Sequence, residues 1–265
     1  MKLRNWLAMA AVVAVSLGAM TVAGARPQGQ QQGATVTRGT VQQSCFQSGS
    51  GATFFRPCVS IHGNVYSIQA PSGSEHINVG TTIEGYGICS NTGYVYDSYV
   101  AEGGLGVQTI SQPNGPNTFP LSIVRSGGGW RITQTYARDA VQREFNITMA
   151  VKNTSASSKT NVDISRFFDG DVDNDVLNVY DASLDAVWGR DLHSLALQSV
   201  SLATTHHVSI EMFSELGSNL ANGVCSIPNN PGPTATGDWA GVATYHFSSI
   251  AAGATKTVKF TYRVM

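Results

Sequence analysis

The densest run of potential ligands is Asp169-Gly170-Asp171-Val172-Asp173-Asn174-Asp175, directly after the apolar pair Phe167-Phe168. In a loop, alternate residues can turn their carboxylates toward one centre. Two carboxylates about 5 Å apart repel by roughly 3 kcal/mol at an effective dielectric near 20, so four of them require counter-charge. Calcium suits this demand, because it takes roughly six to eight oxygen ligands and tolerates irregular geometry. The expected ligands are Asp169, Asp171, Asp173 and Asp175, with Asp181 or Asp185 returning to complete the shell. The loop is not an EF-hand: the twelfth position is Tyr180 where glutamate belongs, and no flanking helices are evident. Two plainer readings compete with calcium. One is a solvated loop in which Asp and Asn serve turn formation; the other pairs the acids with Arg166 or Arg190.

Other candidates for chemistry are sparser. The six histidines are His62, His76, His193, His206, His207 and His246, and none lies in HExxH. There is no GxSxG elbow. Glu75-His76 sits in a turn entering a strand, where adjacent side chains point to opposite faces, so a structural hydrogen bond is the simpler role for His76. His206-His207 meets the same objection. Trp130, Trp239 and His76 are the residues proposed as ligand contacts. A sugar-stacking platform is one reading of the tryptophans and tyrosines. Buried aromatic core is the other, above all for Trp188 in AVWG.

All four cysteines (Cys45, Cys58, Cys89 and Cys225) lie beyond residue 25. An even number in an exported chain favours two disulfides over catalytic thiols. Of three pairings, Cys45–Cys58 is favoured because GSGAT between them reads as a hairpin turn, which leaves Cys89–Cys225. Export itself rests on the N-terminus. Lys2 and Arg4 precede an apolar run from Trp6 to about Val22, and Ala23-Gly24-Ala25 supplies small residues for cleavage after Ala25. The expected address is the periplasm or the extracellular medium.

Subtracting Lys2 and Arg4 from the sixteen basic residues leaves fourteen against seventeen acids, a net charge near −3. That argues against nucleic acid, which needs a concentrated basic face. No later stretch has the roughly 18 apolar residues of a membrane-spanning helix.

Period-two alternation positions these residues. Phe145, Ile147, Met149 and Val151 alternate with Glu144, Asn146, Thr148 and Ala150; after a turn, Val162, Ile164 and Arg166 continue one face of a second strand. Val258, Phe260, Tyr262 and Val264 repeat the pattern. Further strands are expected at Thr35–Gln42, Thr53–Val59, Val65–Gln69, Tyr94–Val100, Leu105–Ile110, Leu121–Val124, Trp130–Ala137, Leu195–Ser201, Val208–Met212 and Gly241–Phe247, with one short helical turn at Phe213–Leu220. The fold class is all-β, a large antiparallel sandwich that could be supersandwich-like. Its organisation is a signal peptide (1–25), a polar leader (26–33) and one β domain (34–265).

Three segments, SGSEHINVGTTIEGYGI, FNITMAVKNTS…VDISRFFDGDVD and SIAAGATKTVKFTYRV, resemble uncharacterised secreted bacterial β-sandwich proteins. More distantly, the long run of antiparallel strands is similar to the galactose mutarotase-like fold. That similarity implies sugar binding or sugar chemistry, and no catalytic motif of the family matches residue by residue. The function expected from sequence is a non-catalytic, calcium-stabilised extracellular binding or structural module whose partner is a carbohydrate or a cell-surface molecule. The alternative is a carbohydrate-active secreted enzyme, mutarotase-like or polysaccharide-processing.

Overall fold

The computed structural model describes residues 44–77, 84–99, 102–139, 143–170, 172, 177–181, 183–190, 193–199, 205–212, 234–236 and 239–264. Among these the regular structure is almost entirely antiparallel β, with a 3-10 turn at Gly51–Thr53 and 3-10 conformation at Val172. The signal and leader, Thr35–Gln42, the turn at Phe213–Leu220 and Cys225 lie outside the described residues. No described helix is long and apolar enough to cross a membrane.

In chain order the strands are β1 (Ser44–Cys45), β2 (Arg56–Val59), β3 (Val65–Gln69), β4 (Glu84–Ser90), β5 (Gly93–Asp97), β6 (Glu102–Gly103), β7 (Thr109–Ser111), β8 (Leu121–Gly127) and β9 (Trp130–Arg138). There follow β10 (Glu144–Asn153), β11 (Lys159–Phe168), β12 (Leu177–Asp181), β13 (Ala186–Arg190), β14 (Ser194–Ser199), β15 (His206–Met212), β16 (Thr234–Thr236), β17 (Trp239–Ile250) and β18 (Thr255–Val264). They form a nine-stranded sheet, β16-β12-β13-β14-β18-β10-β9-β8-β7, and a six-stranded sheet, β15-β17-β11-β4-β5-β6. A small third sheet, β1-β2-β3, carries the N-terminal hairpin.

The two large sheets face each other because alternation gives each an apolar side. In β10, Phe145, Ile147, Met149 and Val151 are fully buried, and Val258 and Phe260 of β18 lie beside them on the same face. Across the sandwich, Phe168 of β11 meets the Tyr262 ring edge-on, and Tyr245 of β17 meets Phe260 in the same manner. Burying such a face at about 25 cal/mol per Å2 is the main driving force for closure.

The expected strand at Leu105–Ile110 is replaced by irregular chain that enters β7 only at Thr109. The cause is local. The Arg125 guanidinium draws in the carbonyls of Leu105 and Gly106 at 3.4 and 2.8 Å, so these groups bond a side chain and not a neighbouring strand. Six described strands, β1, β4, β6, β12, β13 and β16, lie outside the strands expected from the sequence pattern. β4 carries glycine at 85 and 87 and is buried on both faces, so its sequence lacks a polar–apolar alternation.

Candidate functional site

A polar belt crosses the otherwise apolar interior, and strand register builds it. Pairings across four strands of the six-stranded sheet put Arg166 (β11), Tyr86 (β4), Asp97 (β5) and Glu102 (β6) in one transverse row. The opposite sheet contributes Arg125 of β8 and Gln134 of β9, both on the inward parity of their strands. Arg125 donates from Nη1 to Asp97 Oδ2 at 2.6 Å and from Nη2 to Glu102 Oε2 at 2.7 Å. Arg166 donates to Gln134 Oε1 at 2.8 Å. Each cross-sheet contact therefore joins a buried charge to a partner, the condition under which burial is tolerable.

The turn between β2 and β3 enters this belt. It is closed by Ser60 N–H to the Asn64 carbonyl (2.8 Å) and by Gly63 N–H to the Ser60 carbonyl (3.1 Å). Asn64 Nδ2 donates to the carbonyls of Glu84 and Asp97, tying the turn to β4 and β5. Gly63 has φ +93°, and a Cβ there would stand 2.3 Å from Gln134 Nε2 and 2.7 Å from the Tyr136 hydroxyl oxygen. Only glycine fits.

The turn delivers His62 to the row's exposed end. Its Nδ1 lies 3.2 Å from Asp97 Oδ2 and 3.5 Å from Glu102 Oε2. Exposure is graded: the side chains of Asp97, His62 and Glu102 are 0%, 16% and 34% accessible. Beside them, the backbone N–H of Tyr99 donates to Asp97 Oδ1 at 2.9 Å, and the Tyr99 ring stacks on Tyr66 at 5.7 Å. Tyr99 has φ +65°, a strained setting for a bulky residue.

His62, Asp97 and Glu102 offer ligand atoms within 4.8 Å of one another, close enough for a metal ion. The same two carboxylate oxygens already accept from Arg125 at 2.6 and 2.7 Å. A guanidinium thus stands where a divalent cation would, and like-charge repulsion disfavours adding one. Burial opposes the charge of Arg125, yet Tyr86, Glu102 and Asp97 together hold its pKa above the ordinary arginine value. The arrangement suits acid–base chemistry.

Behind the site, Glu84 Oε1 accepts from the Tyr262 hydroxyl at 2.8 Å and pairs with Arg166 Nε at 2.6 Å; Oε2 accepts from Val65 N–H at 2.6 Å. Burial pushes the Glu84 carboxyl up to about 7, against the opposing pull of these donors.

The residues singled out from sequence fall elsewhere. Of the acidic run, Asp171, Asp173 and Asp175 lie outside the described residues. Asp169 is buried at the end of β11, and Asp181 Oδ1 accepts from Ser183 N–H, Ser183 Oγ and Leu184 N–H, capping a turn. Arg166, a suggested partner for the run, faces Glu84. Trp130 is 1% accessible, with Lys159 Nζ 5.1 Å above its ring, and His76 is fully buried with Nε2 at 2.6 Å from the Ala70 carbonyl oxygen. Neither presents a surface to a ligand. Trp239 begins β17, and its side chain is outside the described set. The Cys45–Cys58 disulfide is present; Cys89 is also disulfide-bonded.

Sequence reasoning missed Asp97, Glu102, Arg125 and Glu84. A signal existed for two of them: Arg125 shares parity with Leu121 and Ile123, and Asp97 with Val95. A charge on the apolar face of a strand marks a buried polar site.

No known family and no curated protein matches this chain. Among solved structures, it is similar to a bacterial glucoamylase complexed with acarbose, at 10% identity and a TM-score of 0.57, covering 85% of this chain and 34% of that one. It also aligns with an Escherichia coli K12 protein assigned as an aldose 1-epimerase, at 10% identity and a TM-score of 0.39, covering 84% of this chain and 99% of that one. The chain thus spans about a third of the glucoamylase it matches, and what the two share is the fold. The expectation of a non-catalytic module is corrected by this likeness of fold to an enzyme; three of the expected calcium ligands, Asp171, Asp173 and Asp175, lie outside the described residues.

Proposed function

We propose that this chain is an exported carbohydrate-active protein in which His62 and Glu102 exchange protons with a sugar. The observation that carries this reading is the pair itself. The buried Nδ1 of the His62 imidazole stands 3.5 Å from the partly exposed Glu102 carboxylate, with the rest of the imidazole partly accessible, over a buried carboxylate pinned by arginine. The fold shared with the glucoamylase–acarbose complex supports the choice of sugar as substrate class. The half-buried Tyr99 ring, stacked on the buried Tyr66 ring, supplies an aromatic group near Asp97 of the kind a pyranose contacts.

The geometry bears on the type of reaction. Glycoside hydrolysis by two carboxylates needs both groups open to the sugar, about 5 to 9.5 Å apart on either side of the scissile bond. Asp97 is fully buried and shares one guanidinium with Glu102, so it is poorly placed as nucleophile or base. Proton transfer at the anomeric centre suits the site better. One group takes the proton of the C1 hydroxyl while the other protonates the ring oxygen, the C1–O bond of the ring opens, and reclosure returns both protons. Export agrees with the disulfide chemistry of the described residues, since such bonds persist in oxidising compartments.

The test pairs calorimetric titration of acarbose, glucose and galactose with polarimetry of glucose and galactose mutarotation. Saturable binding is expected, with acceleration of mutarotation lost in His62→Ala and reduced about 100-fold in Glu102→Gln, the scale of one general acid–base group. Background mutarotation together with no binding on a glycan array refutes the proposal.

A further inference from the structure

Two consecutive carbonyls of the β2–β3 turn receive three donors from the sandwich interior. The Tyr86 hydroxyl donates to the His62 carbonyl at 2.7 Å. The Tyr136 hydroxyl and Arg166 Nη2 both donate to the Gly63 carbonyl, at 2.5 and 3.0 Å. The donors come from β4, β9 and β11, hence from both large sheets, and all three side chains are fully buried. The turn's own hydrogen bonds already close it, so these contacts do something other than form the turn.

We infer that Tyr86, Tyr136 and Arg166 are positioning residues for His62, fixing its imidazole against Asp97 and Glu102. The inference rests on the reading of His62 as a group that meets the ligand. Two tyrosines and an arginine in a core are costly unless each finds a partner, and apolar residues of similar size would fill the space without that cost. Here all three converge on one dipeptide. Burial also raises the pKa of both tyrosines, keeping their hydroxyls protonated as donors. Behind them, Glu84 holds Arg166 from one oxygen and Val65 N–H from the other, so the first residue of the turn's return strand and the arginine share one anchor.

The ionisable groups around His62 are thus Asp97 on β5, Glu102 on β6 and Arg125 on β8, with Tyr86 and Glu84 on β4, Tyr136 on β9 and Arg166 on β11 supporting its backbone. Such a shell holds a functional side chain to within fractions of an ångström, which reactive geometry requires.

The experiment reads His62 directly and uses no sugar, so its failure is separable from failure of the carbohydrate reading. Diethylpyrocarbonate modification is followed by peptide mapping, with His193 as internal reference. Tyr136→Phe keeps the ring that stacks on Phe145 and deletes only the donor to Gly63. The His62 rate relative to His193 is expected to rise about fivefold, the factor matching loss of one buried hydrogen bond of ~1 kcal/mol. Tyr86→Phe should act in the same direction through the His62 carbonyl. Tyr245→Phe is the control: its hydroxyl donates at 2.7 Å to the Lys259 carbonyl, remote from the turn, and the His62 rate should not change. An unchanged rate in both Tyr136→Phe and Tyr86→Phe, or an equal rise in Tyr245→Phe, overturns the inference.

Discussion

Glu84 illustrates what a carboxylate does at the centre of a sandwich. Its oxygens are saturated by Arg166, Tyr262 and Val65, yet burial lifts its pKa from 4.5 to about 7. A folded-state value above the unfolded one means that the folded chain holds the extra proton through this window. Raising pH from 4.5 to about 7 removes it, so this group contributes less to stability as pH rises. With Glu84→Gln as the non-titrating reference, the difference in unfolding free energy between wild type and variant should fall by roughly 3 kcal/mol across that range. Urea unfolding at pH 4.5, 5.5, 6.5 and 7.5 measures it, and a difference that is flat or grows with pH contradicts the assignment. The same residue shows the limit of reading one position at a time. Glu84 stands in IEGYG with no alternation to mark it, whereas Arg166 is visibly on the apolar parity of Val162 and Ile164.

At the scale of elements, β10 and β11 have the clearest alternation in the sequence; consecutive along the chain, they read as a hairpin, yet they lie in opposite sheets, and a single buried side chain locks the arch between them. Asn153 at the end of β10 is fully buried and uses both ends of its amide. Its Nδ2 donates to the carbonyls of Ser157 and Ile250 at 2.8 and 2.9 Å, and its Oδ1 accepts from the N–H and Oγ of Ser155. One residue thus closes the arch between the two sheets and ties it to the last residue of β17. Asn153→Ala removes the buried bond to the Ile250 carbonyl and the anchor of Ser155, while the Ser157 carbonyl keeps the Ser155 hydroxyl, and is expected to cost about 1–3 kcal/mol. Equilibrium denaturation gives the value; a cost under about 1 kcal/mol would show that the turn stands without it. The irregular chain before β7 is the converse case. Its residues alternate well enough to read as a strand, but Arg125 claims their carbonyls, and Arg125 is distant in sequence.

At the scale of the molecule, the small sheet is a carrier for the site, since β2 and β3 present His62 to residues of both large sheets. The Cys45–Cys58 bond clips this carrier across a separation of 13 residues. Replacing both cysteines by serine should lower stability by about 3 kcal/mol through the unfolded chain's regained freedom. A melting temperature unchanged by that double replacement would assign the bond no such role. By itself the sequence determined the class of fold, because alternation of period two is a local property that any strand with one buried face must display. It also determined the disulfide between β1 and β2, because the two cysteines flank a single hairpin. Tertiary structure decided the site. His62, Asp97, Glu102 and Arg125 belong to a turn and three strands, and only pairing register, read across two sheets, sets them side by side. Register depends on every neighbouring strand at once, so no single segment carries it.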